Sequence, residues 1–335
     1  MFQIDGSAMA ITLGNTSVVT VFGGSGFLGR YVVQALARTG CRIKVAVRRP
    51  DLALHLQPLG SVGQIALIQA NVRDEQSVAR ALHGADAAVN LVGILEQSGR
   101  QRFRAIHADA AERIAKAARA QGVRTLVHVS AIGASRLGSS VYARTKAEGE
   151  ERVLAAFPEA VILRPSLLFG PEDNFFNRFG WISRISPVMP VISGKTRMQP
   201  VYAGDVAQAV KAALAGRANE GAVYELGGPV TYTFRELLKK ICEWTGHPRP
   251  LIPVPAWMMK IPAFFVQFLP GAPITVDQIR LLQQDNVVSA EAANAHRTLE
   301  GLGIAGLRSV ELIVPPYLQR YRPAGEFSTD RVSVS

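Results

Sequence analysis

Three glycines spaced three apart constrain this chain more than any other feature. Gly23, Gly26 and Gly29 follow directly on the apolar run Val18-Val-Thr-Val-Phe22 and open an amphipathic pattern from Leu28 to Arg38. The first glycine permits a tight turn out of a strand. The second lets backbone approach a pyrophosphate, and the third lets the helix lie close against the strand. The helix N-terminus then offers free N–H groups and the positive end of its dipole to the phosphates. An ordinary glycine-rich turn would not require this strand-to-helix context. The pattern predicts a dinucleotide-binding turn, contacted through Gly23, Gly26, Phe27, Leu28 and Gly29.

The rest of the first 170 residues keeps the same rhythm. Short apolar runs stand at Ile43–Ala46, Ile65–Gln69, Ala87–Leu91, Thr125–Val129 and Ala160–Leu163. Helical patterns separate them at Glu75–Leu82, Ala108–Ala120 and Tyr142–Ala156. Apolar strands alternating with amphipathic helices mean a parallel sheet covered on both faces. Right-handed crossovers make it doubly wound. The fold class is therefore α/β, a Rossmann-type doubly wound parallel sheet with a small C-terminal lobe. The expected divisions are an extension over 1–17 and a dinucleotide-binding domain over 18–170. A mixed segment over 171–321 builds the lobe and closes the sheet, and a polar tail covers 322–335. Val223–Leu226 reads as a further strand and Phe234–Trp244 as a helix, so the chain passes between lobes more than once.

The end of the second strand separates two cofactors. A carboxylate there would bind the 2′-hydroxyl of NAD(H). This chain has Val45-Ala-Val-Arg48-Arg49-Pro50. Two guanidiniums suit a 2′-phosphate through charge-assisted contacts, unless both simply face solvent. NADP(H) is therefore expected ahead of NAD(H). Asn71 and Val72 follow the third strand and border the adenine; Asn90, Val92 and Gly93 follow the fourth and pass beneath the cofactor.

Tyr142 and Lys146 lie four apart after the fifth strand and share a helix face. A neighbouring ammonium stabilises phenolate, so Lys146 is expected to lower the Tyr142 pKa and to reach the nicotinamide ribose. With these residues assembled, the chain resembles the extended short-chain dehydrogenases/reductases. The glycine turn, the Tyr142/Lys146 pair, Leu163-Arg-Pro-Ser-Leu-Leu-Phe-Gly-Pro171 and Val201-Tyr-Ala-Gly-Asp205-Val-Ala207 carry the resemblance over residues 18–318. It implies that Arg164, Pro165 and Ser166 border the nicotinamide end. It also implies a Ser or Thr near the end of the fifth strand that polarises a carbonyl. Ser130 stands there, although many members carry that Ser about two residues further on, where this chain has Ile132.

Further segments resemble one branch of that family. They are His128-Val-Ser-Ala-Ile-Gly-Ala134, Phe157–Pro165, Gly170–Asn177, Tyr224–Pro229 and Pro316–Pro323. The branch holds the NADPH-binding accessory subunit of respiratory complex I and its bacterial relatives. It implies a tightly held NADPH with little or no turnover. It also implies partners among the subunits at the junction of peripheral arm and membrane. The alternative is a working NADPH-dependent reductase or epimerase, acting on a small carbonyl or a quinone- or lipid-like substrate. In that case Tyr142 moves the proton, Lys146 tunes it and Ser130 orients the carbonyl.

Composition bounds these readings. The 335 residues include 37 basic and 26 acidic side chains, a net charge of +11 that favours an anionic partner. No nucleic-acid module accompanies that charge, so no nucleic acid is expected. Two cysteines, Cys41 and Cys242, give neither a disulfide framework nor a thiolate metal site. Six scattered histidines lack a metal spacing and read as structural or exposed, so no metal is expected. The stretch Leu251–Thr275 is strongly apolar but broken by five prolines, and does not read as a membrane span. Trp257, Phe264, Phe265 and Phe268 form an apolar face there. It packs on the chain's own core or lines a pocket, or it meets a protein partner or an acidic membrane surface. Met1–Ser17 carries no Lys or Arg, unlike a secretory or mitochondrial leader, and Met9 is a second candidate start. The expected place is cytoplasmic, peripheral on the inner face of a bacterial inner membrane, or the matrix side in a eukaryote.

Overall fold

The computed structural model describes residues 11–99, 101–258 and 275–323. In chain order the strands are β1 (Val18–Phe22), β2 (Arg42–Val47), β3 (Ile65–Gln69), β4 (Ala87–Asn90), β5 (Thr125–Val129), β6 (Val161–Pro165), β7 (Leu168–Phe169), β8 (Met189–Val191), β9 (Arg197–Met198), β10 (Val201–Tyr202), β11 (Val223–Leu226), β12 (Tyr232–Thr233) and β13 (Leu251–Pro253). The α-helices are α1 (Phe27–Ala37), α2 (Glu75–Leu82), α3 (Ala110–Ala120), α4 (Val141–Ala156), α5 (Phe176–Ile185), α6 (Ala203–Leu214), α7 (Phe234–Trp244), α8 (Val276–Leu281), α9 (Ala290–Asn294) and α10 (Val310–Leu318). They divide between two units. The first comprises the chain up to Ser166 together with Ala203–Gly227 and Val288–Leu307. The second comprises Leu167–Tyr202, Gly228–Val287 and the chain from Arg308 onward.

The first unit is a seven-stranded sheet in the order β11-β6-β5-β4-β1-β2-β3, parallel throughout. This is the doubly wound α/β sheet that the rhythm of the sequence predicts. Helices cover both faces, with α6 packed on α1 and α3 packed between α2 and α4. In the central strands β1, β4 and β5 nearly every residue is buried, so apolar residues stand at successive positions instead of alternating. One face buries Phe22, Val78, Leu82, Ile114, Leu126, Phe157 and Ile162 in a single cluster. Each such side chain contributes about 1.5–3 kcal/mol when withdrawn from water.

The strand order reverses between β1 and β4, and ligands of such sheets bind at the carboxyl ends beside that reversal. Register aligns those ends: Phe22 lies opposite both Ala46 and Asn90, and Asn90 lies opposite His128. The turns after β1, β2, β4 and β5 therefore open at one edge. Most expected elements shift by only a residue or two at their ends, and one differs in kind. The helix expected from Ala108 starts as a π-turn over Ala105–Asp109, and α3 follows from Ala110. The π-turn lies where α4 passes very close. A Cβ on Gly149 would stand 2.0 Å from the His107 carbonyl oxygen.

The second unit holds three two-stranded pairs, β10 with β7, β12 with β9, and β13 with β8. Its core is Phe169, Phe176, Phe234, Leu237, Leu238, Ile241, Val314 and Leu318. The helix α7 begins on a capping box in which Thr233 and Glu236 satisfy each other's backbone N–H groups. Trp257 is 64% exposed. Phe264, Phe265 and Phe268, which complete the apolar face expected with it, lie outside the described residues, as do Met1, Met9 and residues 324–335 of the tail. No described helix is long and apolar enough to cross a membrane.

Candidate functional site

The glycine turn has the shape a dinucleotide needs. Gly23 sits at φ +78°, and a Cβ there would come within 3.1 Å of the Leu91 carbonyl carbon. Both conformation and space therefore demand glycine. A Cβ on Gly29 would lie 2.5 Å from Gly23 O and from Gly24 C, so only glycine lets α1 lie this close to the turn. Gly26 is the N-cap of α1, and no side chain caps the helix or places an acid in its first turn. Its first N–H groups are left without a side-chain acceptor, which suits an arriving pyrophosphate. Leu28 and Gly29 are buried, and Phe27 stands half-buried with its ring edge-to-face on Tyr31 at 5.7 Å. These residues fit a dinucleotide through backbone, not through their side chains.

At the end of β2 the two arginines part ways. Both are exposed, but Arg49 is engaged by Asp51, Nη2 to Oδ2 at 2.7 Å and Nε to Oδ1 at 3.3 Å. That contact holds the Asp51 carboxyl below its usual range. The partner carboxylate comes from just beyond Pro50, in the first turn of the 3₁₀ segment Pro50–Leu59 that follows β2. Arg48 makes no ion pair or hydrogen bond among the described residues. After β3, Asn71 Oδ1 accepts from Arg73 N–H at 3.1 Å, and the carbonyl of buried Val72 accepts from Arg113 at 2.8 Å. Both residues shape the turn from within.

Beyond β4, Asn90 is buried. Its Oδ1 accepts from Val92 N–H at 3.0 Å and its Nδ2 donates to His128 Nδ1 at 3.0 Å. It braces the turn internally, leaving half-buried Val92 and exposed Gly93 at the surface. A Cβ on Gly93 would meet Lys146 Nζ at 3.4 Å, so this turn lies directly beside α4.

Helix α4 starts at Ser140, whose Oγ accepts from Ala143 N–H. Tyr142 thus lies in the first turn and Lys146 one turn on, as their spacing predicts. Lys146 is buried, donates to the Val129 carbonyl at 3.2 Å, and has Nζ 6.0 Å from the centre of the Tyr142 ring. Burial lowers its pKa to about 8, partly opposed by Glu150. Burial also raises Tyr142 to about 12. This reverses the expectation that Lys146 lowers it. The ammonium is aimed at a backbone carbonyl over the ring, and desolvation of the phenolate dominates.

Ser130 continues the sheet, its N–H donating to Leu163 O at 2.7 Å. Its Oγ is buried and has no hydrogen-bond partner among the described residues. Ile132 follows on the same ladder, donating to Pro165 O at 3.0 Å. Pro165 and Ser166 are buried at the end of β6. Arg164 is occupied elsewhere: Glu150 holds it through Nε at 2.9 Å and Nη2 at 2.6 Å, tying β6 to α4.

One residue of this cluster was not singled out by spacing. His107, in the π-turn, is buried against Tyr142, ring centres 5.2 Å apart and edge-to-face. The available cue was the pairing of Phe103 with His107 four residues on, which stack at 5.3 Å. Among the described residues, no group of three or more His, Cys, Asp or Glu is placed to hold a metal.

The comparisons with known proteins agree with this geometry. The model of the NAD dependent epimerase/dehydratase family matches residues 19–227. The mitochondrial NADH dehydrogenase (ubiquinone) 1 alpha subcomplex subunit 9 of Arabidopsis thaliana is 36% identical over 288 residues, 82% of this chain and 72% of that protein. The protein of the same name from Dictyostelium discoideum is 32% identical over 315 residues, 93% of this chain and 86% of that protein. Among solved structures, the Escherichia coli NADPH-dependent quinone oxidoreductase QOR2 with NADPH superimposes with a TM-score of 0.67. It is 20% identical, spans 87% of this chain and 96% of that one, and speaks to fold alone. From the glycine turn to the end of β11, this chain belongs to the NAD dependent epimerase/dehydratase family.

Proposed function

We propose that this chain is an NADPH-binding accessory subunit associated with respiratory complex I, holding its cofactor with little or no turnover. The observation that carries the reading is likeness along nearly the whole chain: 32% identity over 93% of it to a named complex I subunit. The site is in keeping with it. The turn suited to a dinucleotide is complete, whereas the groups that would do chemistry are muted. Ser130 Oγ is buried, and Tyr142 is held at about 12, far from a proton donor and acceptor working near neutrality. A ligand that binds only the folded state stabilises it, so a cofactor held without turnover still has a structural effect.

NADP(H) is preferred over NAD(H) in this reading because Arg48 is free of protein partners among the described residues and stands at the end of β2. Its guanidinium suits a 2′-phosphate. The place implied is peripheral, beside the junction of peripheral arm and membrane. That is the cytoplasmic face of a bacterial inner membrane, or the matrix face in a mitochondrion.

The deciding experiment is native-gel migration of the endogenous tagged protein after mild detergent extraction, with mass spectrometry of what travels with it. Comigration with complex I subunits is expected. A free soluble species that reduces a carbonyl with NADPH would replace this reading by the reductase or epimerase one, which draws on the intact Tyr142–Lys146 pair. NADPH would supply the hydride there, and Tyr142→Phe would abolish turnover without loss of binding.

A further inference from the structure

The β4 turn and α4 are joined through one imidazole. Ile94 N–H donates to His107 Nε2 at 3.2 Å. An Nε2 that accepts leaves the proton on Nδ1, which then donates to Thr145 Oγ1 at 3.1 Å. The Thr145 hydroxyl in turn donates to the Val141 carbonyl at 2.9 Å, within the first turn of α4. This is a continuous chain of hydrogen bonds from the turn after β4 to the turn that carries Tyr142. Its Thr145 member lies between Tyr142 and Lys146 in sequence.

The ring is fixed from its faces as well. Phe103 stacks on it at 5.3 Å with an interplanar angle of 21°. Tyr142 presents an edge-to-face contact to His107 at 5.2 Å and to Phe103 at 5.9 Å. The backbone places it there by the π-turn, and such turns recur at functional sites. The π-turn lies against Gly149 with no room for a methyl group. Only a neutral imidazole serves, because a protonated Nε2 would face a second donor at Ile94. Burial and the neighbouring Lys146 charge keep it neutral, with its pKa lowered to about 2.

We propose that His107 is the positioning residue for the nicotinamide end of the site. It locks the Gly93–Ile94 turn to the first turn of α4, and so sets where Tyr142 and Lys146 stand before a cofactor arrives. This rests on the reading of the first unit as an NADP(H) site. His107 touches neither reacting atoms nor phosphates in this role; it acts through the groups it holds.

The test compares two probes on the full-length protein. NADPH spans both halves of the site, whereas 2′,5′-ADP fills only the adenosine half. His107→Phe keeps the stacked and edge contacts but removes the acceptor for Ile94 N–H. It is expected to weaken NADPH about tenfold while 2′,5′-ADP changes by less than about twofold. His107→Gln restores an acceptor and is expected to recover most of the loss. Thr145→Val, which cuts the far end of the same chain, is expected to show the same selective loss. The proposal is overturned if His107→Phe and Thr145→Val bind NADPH like the parent. It is equally overturned if both probes weaken together, which marks general damage to the unit. A parent protein that binds 2′,5′-ADP but not NADPH overturns it too, while a parent that binds neither overturns the cofactor reading on which it stands.

Discussion

Lys146 shows how one buried charge governs the chemistry open to this site. The folded protein holds it at about 8, below its ordinary 10.5, because burial disfavours the ammonium. Below pH 8 both folded and unfolded chains carry the proton, and the full cost of burying it is present. Between about 8 and 10.5 the folded chain has lost the proton while the unfolded chain keeps it, so stability rises with pH. Lys146→Met is therefore expected to be more stable than the parent near pH 7, with the advantage shrinking as pH climbs to 10. Urea midpoints of both proteins over that range check this; a constant difference would contradict it. Above pH 10 Tyr142 works the other way, since its folded pKa is raised to about 12 and the stability it contributes is lost as pH rises. A second expectation concerns the arginines. Arg48→Ser should weaken NADPH far more than NADH, while Arg49→Ser should have the smaller effect because Asp51 already holds that guanidinium. Titration with both cofactors decides it, and equal effects on NADPH and NADH would sink the assignment. Tyr142, Lys146 and the glycines were legible because their spacing alone places them on one turn or one helix face. His107 and Asp51 were not. Their roles come from a tautomer fixed by Ile94 and an ion pair closed in the folded turn, which the short Phe103–His107 and Arg49–Asp51 spacings do not by themselves reveal.

At the scale of elements, the strands were legible as short apolar runs, at the edges of the sheet as well as at its centre. Val18–Phe22, Ile65–Gln69, Thr125–Val129 and Val223–Leu226 begin and end as the apolar runs do. The π-turn before α3 was not legible, because it answers to a neighbour far along the chain. Gly149 and His107 are brought together only when α4 crosses the turn, with the missing methyl as the condition of the crossing. Gly149→Ala is accordingly expected to destabilise the protein by about 3 kcal/mol or more, since a Cβ 2.0 Å from a carbonyl oxygen forces backbone to move. Helix propensity alone argues the opposite, as alanine is favoured over glycine in a helix interior by roughly 1 kcal/mol. The sign of the change in urea midpoint separates the two effects. A stabilised variant would show that the crossing has slack.

For the whole molecule, the question is what constitutes a foldable piece. Neither unit is contiguous, because the chain changes unit after Ser166, Tyr202, Gly227, Val287 and Leu307. The sheet takes its last strand, β11, and the helix α6 that covers α1 from beyond residue 200. A fragment ending at residue 170 contains the whole glycine turn, Arg48 and the Tyr142–Lys146 pair, yet it leaves the apolar strand β6 as an open edge and one side of α1 bare. Unpaired apolar edges invite association between copies. The fragment is therefore expected to aggregate or to melt without cooperativity, and to show no shift with NADPH. The full chain is expected to gain about 2.7 kcal/mol at a hundredfold excess over the dissociation constant. Thermal melts of both, with and without NADPH, make the comparison. A cooperative, NADPH-responsive fragment would mean that the turns at the carboxyl edge of β1 to β5 suffice. Loss of response with the fragment soluble and monomeric would place the requirement in the chain beyond residue 170, because every residue assigned to the cofactor is still present.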